Sequence, residues 1–429
     1  MVSRSRGAAL PAALSWAIAA LLAVASAAHL TRGLFFLAVQ QPPRAIADLR
    51  NRRIETAYFL DRVSPLSQQM LAADPTDAAG WAAGADRRWS HGVEHARGAL
   101  PPWSYSLQLL IVPPVGETGA RVYLAMLDVA ALIAIAWLAF VRAAAAGADT
   151  SGRALVVLSP LAIGATNSAL TQGQNSLIIN AALACVMLAL LRPRDDAASV
   201  PAGVAFALAM TKPSTALLFA LPPAALRRWR LLGTAAAVLA AATIAGAAWL
   251  GHPVLFQFRQ FEQLSRAVVD EGANPLLNAL TAATTPAFAR NVCAAAGVAI
   301  AIAVTVRLRR TGVFAIFAVL AVVARLFTYH RAYDDVLLAF LVIEAAARAT
   351  TPEAATRWRI AWLACGASLW LPYSLYVPAW AQGAQIATWV GVAVLMVVPT
   401  VSGERDRSSA AKRSADHVND VRKGGLEPP

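Results

Sequence analysis

Long apolar runs decide most of what this chain can fold into. Windows of about 20 mostly apolar residues recur along it, long enough as helix to cross a hydrocarbon core of about 30 Å. A bilayer admits two spanning solutions, helices that satisfy their own backbone and closed barrels. The runs here are continuous and Ala/Leu-rich rather than alternating, which selects helices. Charged residues make up only 14% of the chain, against about 25% in soluble domains. The expected class is an all-α polytopic membrane protein. The net charge of +13 would suggest nucleic acid in a soluble chain. Here the basic residues fall in short clusters between apolar runs, at Arg192/Arg194, Arg227/Arg228/Arg230, Arg307/Arg309/Arg310 and Arg357/Arg359. That is the positive-inside pattern of a membrane protein, and it argues against a nucleic-acid partner.

Taken in order, an apolar run from about Ala8 to Val39 follows Arg4 and Arg6. The AVASAA stretch near Ala25 resembles a signal-peptidase site, but the run continues through LFFLAV, so an uncleaved signal anchor is expected. A polar insert then occupies about 41–105 and carries Asp48 close to the end of the first span. The stretch LPPWSYSLQLLIVPP (100–114) is too short to cross and reads as a re-entrant or interfacial helix opened by Pro101 and Pro102. Segment 200–226 is broken at Thr211-Lys212-Pro213 and is basic at both ends, which predicts a hairpin of short helices with Lys212 near its apex. About ten full spans are expected in all. Residues 1–400 form one membrane domain in this reading, and the polar stretch 401–429 is a disordered cytoplasmic tail.

With the N-terminus inside, and neither 101–114 nor 200–226 changing sides, every arginine cluster is cytoplasmic. The same count puts Asp48, the PPW turn, QGQN (172–175) and YHRAYDD (329–335) outside, which predicts one outward-facing cavity. Lys212 costs about 2.5–3.5 kcal/mol near a helix centre, so it is expected to line a cavity or find a partner, and it could bind a phosphate. Gln172, Gln174 and Asn175 both donate and accept, which suits sugar hydroxyls. Tyr329, His330, Arg331, Tyr333, Asp334 and Asp335 cover phosphate binding, acid/base work and sugar stacking. Helix capping would explain the amide turn equally well, a hydrated loop is the alternative for 329–335, and snorkelling to the inner surface is the alternative for Lys212. Cys185, Cys293 and Cys365 lie in apolar runs with no metal or disulfide spacing and read as small buried hydrophobes. No Walker A loop, GxGxxG, HExxH or CxxC is present, so nucleotide-driven transport is not expected. No cofactor is expected and no residue is marked as a metal ligand, with the metal requirement itself left open.

The ordered set Asp48-Leu49, Ser64-Pro65, PPW (101–103), GQNS (173–176), Ala202-Gly203, Lys212-Pro213, RRWR (227–230) and YHRAYDD resembles glycosyltransferase family 87. These are multi-span GT-C enzymes that use polyprenyl-phosphate sugars. The resemblance implies a mannosyltransferase in the plasma (inner) membrane, acting at its outer face on an envelope glycolipid or glycan. It implies Asp48 as the catalytic base and Lys212, His330 and Arg331 as donor-phosphate ligands. Gln174, Asn175, Tyr333 and Asp334 would bind the sugar. Departures from the family pattern fall at Asn51, Arg52 and Arg53, at Leu100 and at Ser214, and they bear on the sugar and the acceptor. A transporter or lipid flippase is the competing class. The Lys212-Pro213 break suits it, but the sequence shows no internal repeat.

Overall fold

The computed structural model describes residues 11–39, 46–67, 100–192, 196–269, 284–309, 311–328, 330–371 and 379–398. The expectations for insert residues 68–99, for Tyr329 and for the 401–429 tail lie outside the described residues. Every regular element described is helical. In chain order these are α1 (Ala12–Ala38), α2 (Ala47–Leu60), α3 (Pro102–Gln108), α4 (Glu117–Ala145), α5 (Thr150–Leu161), α6 (Ala165–Gln172), α7 (Ser176–Leu191) and α8 (Asp196–Ala209). Short helical turns fill 213–225. Then come α9 (Trp229–Leu250), α10 (Val254–Val269), α11 (Pro286–Leu308), α12 (Val313–Phe327), a 3-10 turn (Ala332–Leu338), α13 (Ala339–Ala349), α14 (Thr356–Trp370) and α15 (Ala379–Val397).

Among the described residues five helices are long and apolar enough to cross a membrane: α1, α4, α9, most of α11 and most of α15. The pair α5 and α6 makes a sixth, bent by 43°. Pro160 lies in the last turn of α5, where its missing N–H weakens the helix ladder just before the bend. The described residues therefore support five or six spans by length rather than about ten. The reason is local: α6, α7, α8 and α12 stop or start at the polar motifs, which cut apolar runs into pieces of 8–16 residues.

Helices α7, α12 and α13 are buried along most of their length and form the middle of the bundle, where Phe219, Phe317 and Phe340 meet ring to ring at 5.0–5.9 Å. The outer helices turn large apolar residues outward, among them Leu21, Val24, Ile133, Trp137 and Ile244. Such faces would drive aggregation in water but match the interior of a bilayer. Cys293 and Cys365 are buried as expected, whereas Cys185 is exposed on α7. A small apolar residue facing lipid loses no water-exclusion energy, so burial was not required of it.

Helix α8 crosses α9 closely at Gly203, where an added Cβ would lie 2.6 Å from the Leu231 carbonyl oxygen. The chain breaks at Thr211-Lys212 and Pro213 opens the next helical turn, the position at which its missing N–H costs least. At the far end, the Arg228 guanidinium donates to the Arg192 carbonyl, so the two ends of segment 192–228 lie together.

Candidate functional site

The site is built around α2. Its entry is strained: Ile46, a β-branched residue, has φ 54°, a conformation that costs about 1–3 kcal/mol. Two features hold it there. Its N–H donates to the Thr171 carbonyl at 2.8 Å, and its side chain is fully buried with Leu49 and Leu124. Gly173 adopts φ +65° and approaches α2 so closely that an added Cβ would sit 2.6 Å from Leu49 Cβ. The GQNS turn therefore abuts the helix that carries Asp48. Asp48 lies half-buried in the first turn of α2, where the helix dipole favours a carboxylate.

Residues 48, 52 and 55 recur at helical spacing and share one face. Arg52 Nη1 donates to Glu55 Oε2 at 2.6 Å, and Glu55 is fully buried. Asp48, Tyr105 and Tyr333 also act electrostatically on the Arg52 guanidinium. Gln108 Nε2 donates to the Arg52 carbonyl at 3.0 Å and ties α3 to α2. Burial, and then the Glu55 carboxylate, push the Tyr105 phenol well above its ordinary range, so it stays a neutral hydroxyl.

The other half of the site is Asp334, at the start of the 3-10 turn and 1% exposed. Ser176 Oγ donates to its Oδ1 at 2.6 Å, Lys212 Nζ forms an ion pair with the same oxygen, and the Arg331 N–H donates to Oδ2 at 3.0 Å. Burial, the largest influence, would raise the Asp334 carboxyl, but Lys212, His330 and the hydrogen bonds from Lys212 and Ser176 together outweigh it and hold the group below the usual carboxylate range. Burial takes His330 down to about 3, against the pull of Asp334, so this imidazole is neutral at ordinary pH. Lys212 Nζ also lies 5.1 Å from the Tyr333 ring centroid. The break that presents Lys212 is pinned by Trp103 Nε1 to the Met210 carbonyl at 2.8 Å and Ser104 Oγ to the Thr211 carbonyl at 3.0 Å. Thr328 Oγ1 adds a bond to the Ser214 carbonyl at 2.6 Å, and Arg325 pairs with Asp335.

The PPW turn thus touches the Lys-Pro break, the break touches the YHRAYDD stretch, that stretch touches the GQNS turn, and α2 lies against the GQNS turn and α3. Lys212, Tyr333 and Asp334 come together, with His330 buried within electrostatic reach. Gln174 is buried and Asn175 half-buried in the turn beside Ser176, while Arg331 is exposed at the edge. Ser176 entered the sequence analysis only as the end of GQNS and Arg52 only as a departure from the family pattern, and Glu55 and Tyr105 were not singled out at all. The 48/52/55 spacing was a signal for two of them, and nothing local marks Tyr105. No group of three or more His, Cys, Asp or Glu among the described residues is placed to hold a metal ion.

No curated protein and no solved structure matches the chain. Residues 101–346, more than half of it, match the family model of glycosyltransferase family 87. The chain belongs to this family. The family 87 match takes in the PPW, GQNS, Lys-Pro, RRWR and YHRAYDD stretches; Asp48 and α2 precede it. With five or six membrane-length helices, this family 87 chain is a membrane glycosyltransferase. The candidate site offers a carboxylate, a shared cation and a neutral imidazole around one polar turn.

Proposed function

We propose that the chain moves a hexose, with mannose the first candidate, from a polyprenyl-phosphate donor to an envelope lipid or glycan acceptor. The reaction takes place at the outer face of the plasma (inner) membrane, with Asp48 as general base. The observation that carries this reading is the convergence of the Asp48 helix and the Lys212–Asp334 pair on the GQNS turn. An acceptor hydroxyl is a poor nucleophile. Asp48 takes its proton as the acceptor oxygen bonds to the anomeric carbon, help worth about 10²–10⁴ in rate. The bond from that carbon to the phosphate oxygen breaks, and its electron pair leaves with polyprenyl phosphate. One in-line step inverts the anomeric centre.

Lys212 meets the charge that develops on the departing phosphate. An ammonium has three donors, so Asp334 can hold it in place while another turns to the phosphate. Arg331 and His330 flank the same position. Gln174, Asn175 and Tyr333 are the candidates for holding the sugar. An open groove of about 440 Å³ along α10 has Leu255, Phe258 and Phe261 in its wall and Arg259, Glu262 and Arg290 at its edge; its apolar wall suits part of the lipid tail, and Phe258 meets Trp103 at 5.9 Å. Membranes carrying the chain, supplied with labelled polyprenyl-phosphate mannose, are expected to yield a labelled envelope lipid or glycan. Labelling equal to that of membranes lacking the chain would remove this donor.

A further inference from the structure

Arg52 has hydrogen-bond donors to spare. Its Nη1 is held by Glu55 Oε2 at 2.6 Å, and that carboxylate is fully buried. Among the described residues its Nε and Nη2 meet no acceptor, and neither is sealed from solvent. Only 19% of the side chain is open, so the free edge of the guanidinium is reached through a small part of its surface. Tyr105, buried and neutral, lies within electrostatic reach of both members of the pair, and Gln108 fixes the Arg52 carbonyl. The guanidinium is thus anchored at one corner and open along the other edge. Arg52 is also one of the departures from the family pattern, so its role belongs to this chain.

Two neighbours indicate what that edge meets. Asp48 and Tyr333 both act on Arg52 electrostatically, and the Tyr333 ring in turn lies 5.1 Å from Lys212 Nζ. Two cations therefore attend one ring. Asp48 and Arg52 are four residues apart, about 6 Å along one face of α2. In an in-line displacement the base and the leaving oxygen stand about 7 Å apart, because the acceptor oxygen lies about 3 Å from both the base and the anomeric carbon. One turn of α2 thus spans the reaction, with the base at one end and a cation at the other. A guanidinium grips phosphate through two parallel bonds, which an ammonium does not offer. Of the other candidates for the phosphate, His330 is neutral and Arg331 is exposed. On the polyprenyl-phosphate reading above, on which this rests, we infer that Arg52 is a catalytic residue that binds the donor phosphate together with Lys212 and stabilises the leaving oxygen. As the bond from the anomeric carbon to the phosphate oxygen breaks, its electron pair settles on that oxygen. Arg52 donates hydrogen bonds to the phosphate and keeps its own protons, while Glu55 keeps the fork from turning away.

The test uses the full chain in detergent with two probes of one tail: farnesyl phosphate, and farnesol, which lacks the phosphate. Binding is read as thermal stabilisation against probe concentration. Wild type is expected to prefer farnesyl phosphate. Arg52→Gln is expected to weaken farnesyl phosphate by about tenfold or more and to leave farnesol unchanged. Arg52→Lys is expected to keep part of that affinity, since it keeps the charge and loses the fork. Arg52→Gln strands the Glu55 carboxylate, so Arg52→Gln/Glu55→Gln, which removes both charges, repeats the measurement if the single variant folds poorly. Transfer from labelled polyprenyl-phosphate mannose should fall further than the affinity does, because charge on the leaving oxygen grows in the transition state. A wild-type phosphate preference retained in the double variant, or an equal loss for farnesol, would overturn the inference. Equal binding of both probes by wild type would remove the polyprenyl-phosphate donor itself, and this role with it, so the two failures are read separately.

Discussion

At the scale of single residues, Asp334 carries more of the site than its position in a hydrophilic stretch implied. Its carboxylate is buried and held by an ammonium, a hydroxyl and a backbone N–H. Removing one member of a buried ion pair strands the other, which costs about 3–5 kcal/mol. Asp334→Asn is therefore expected to lower the melting temperature in detergent and to abolish transfer. Lys212→Met/Asp334→Asn should restore much of the stability without the activity, and two equally unstable variants would show that the pair does not act as a unit. His330 gives a pH signature. Its folded pKa of about 3 lies below the ordinary 6.5, so below pH 6.5 the unfolded chain binds the extra proton and the folded one does not. Stability is expected to be full above about pH 6.5 and to fall progressively towards pH 3; His330→Gln should flatten that slope in melting curves taken across the range. The sequence displayed Lys212 as a charge in apolar surroundings, and His330 and Asp334 as members of one polar stretch. Which partners they take was hidden, because Ser176 and Lys212 lie 158 and 122 positions from Asp334.

At the scale of elements, α2 is positioned by a few backbone constraints rather than by a wide apolar face. Gly173 matters for two reasons, its left-handed φ of +65° and its approach to Leu49. Gly173→Ala adds about 1–2 kcal/mol of backbone strain and pushes on α2. Transfer should fall by more than the change in melting temperature accounts for, as measured on the same preparation; unchanged turnover would mean that α2 tolerates the shift. Long apolar stretches made α1, α4 and α9 readable from sequence, since composition alone sets a membrane-length helix. The bend between α5 and α6 was not readable, because Pro160 lies in a stretch whose hydropathy is unbroken. The placement of α2 was only half readable: the polar insert carrying Asp48 was marked in the sequence, but the approach of Glu117 from α4 to Arg50 and Arg53 is a tertiary event.

At the scale of the whole molecule, the polar motifs interrupt the apolar helices where the bundle needs a site, and the remaining helices present apolar surface to lipid. The contact between Arg228 and Arg192 joins the two ends of the broken segment. Cysteines placed at 192 and 228 are expected to react with an impermeant thiol reagent from the same, cytoplasmic, side. Labelling from opposite sides would take Lys212 out of the shared cavity. The family 87 match starts at residue 101, so the central claim about Asp48 stands on the placement of α2. The most direct measurement is transfer of labelled hexose from a polyprenyl-phosphate donor by Asp48→Asn and Asp48→Ala, in membranes with matched expression and with donor binding measured in parallel. A loss of about 10² or more in turnover with donor binding retained is the expected result. Undiminished transfer by both variants would contradict the account.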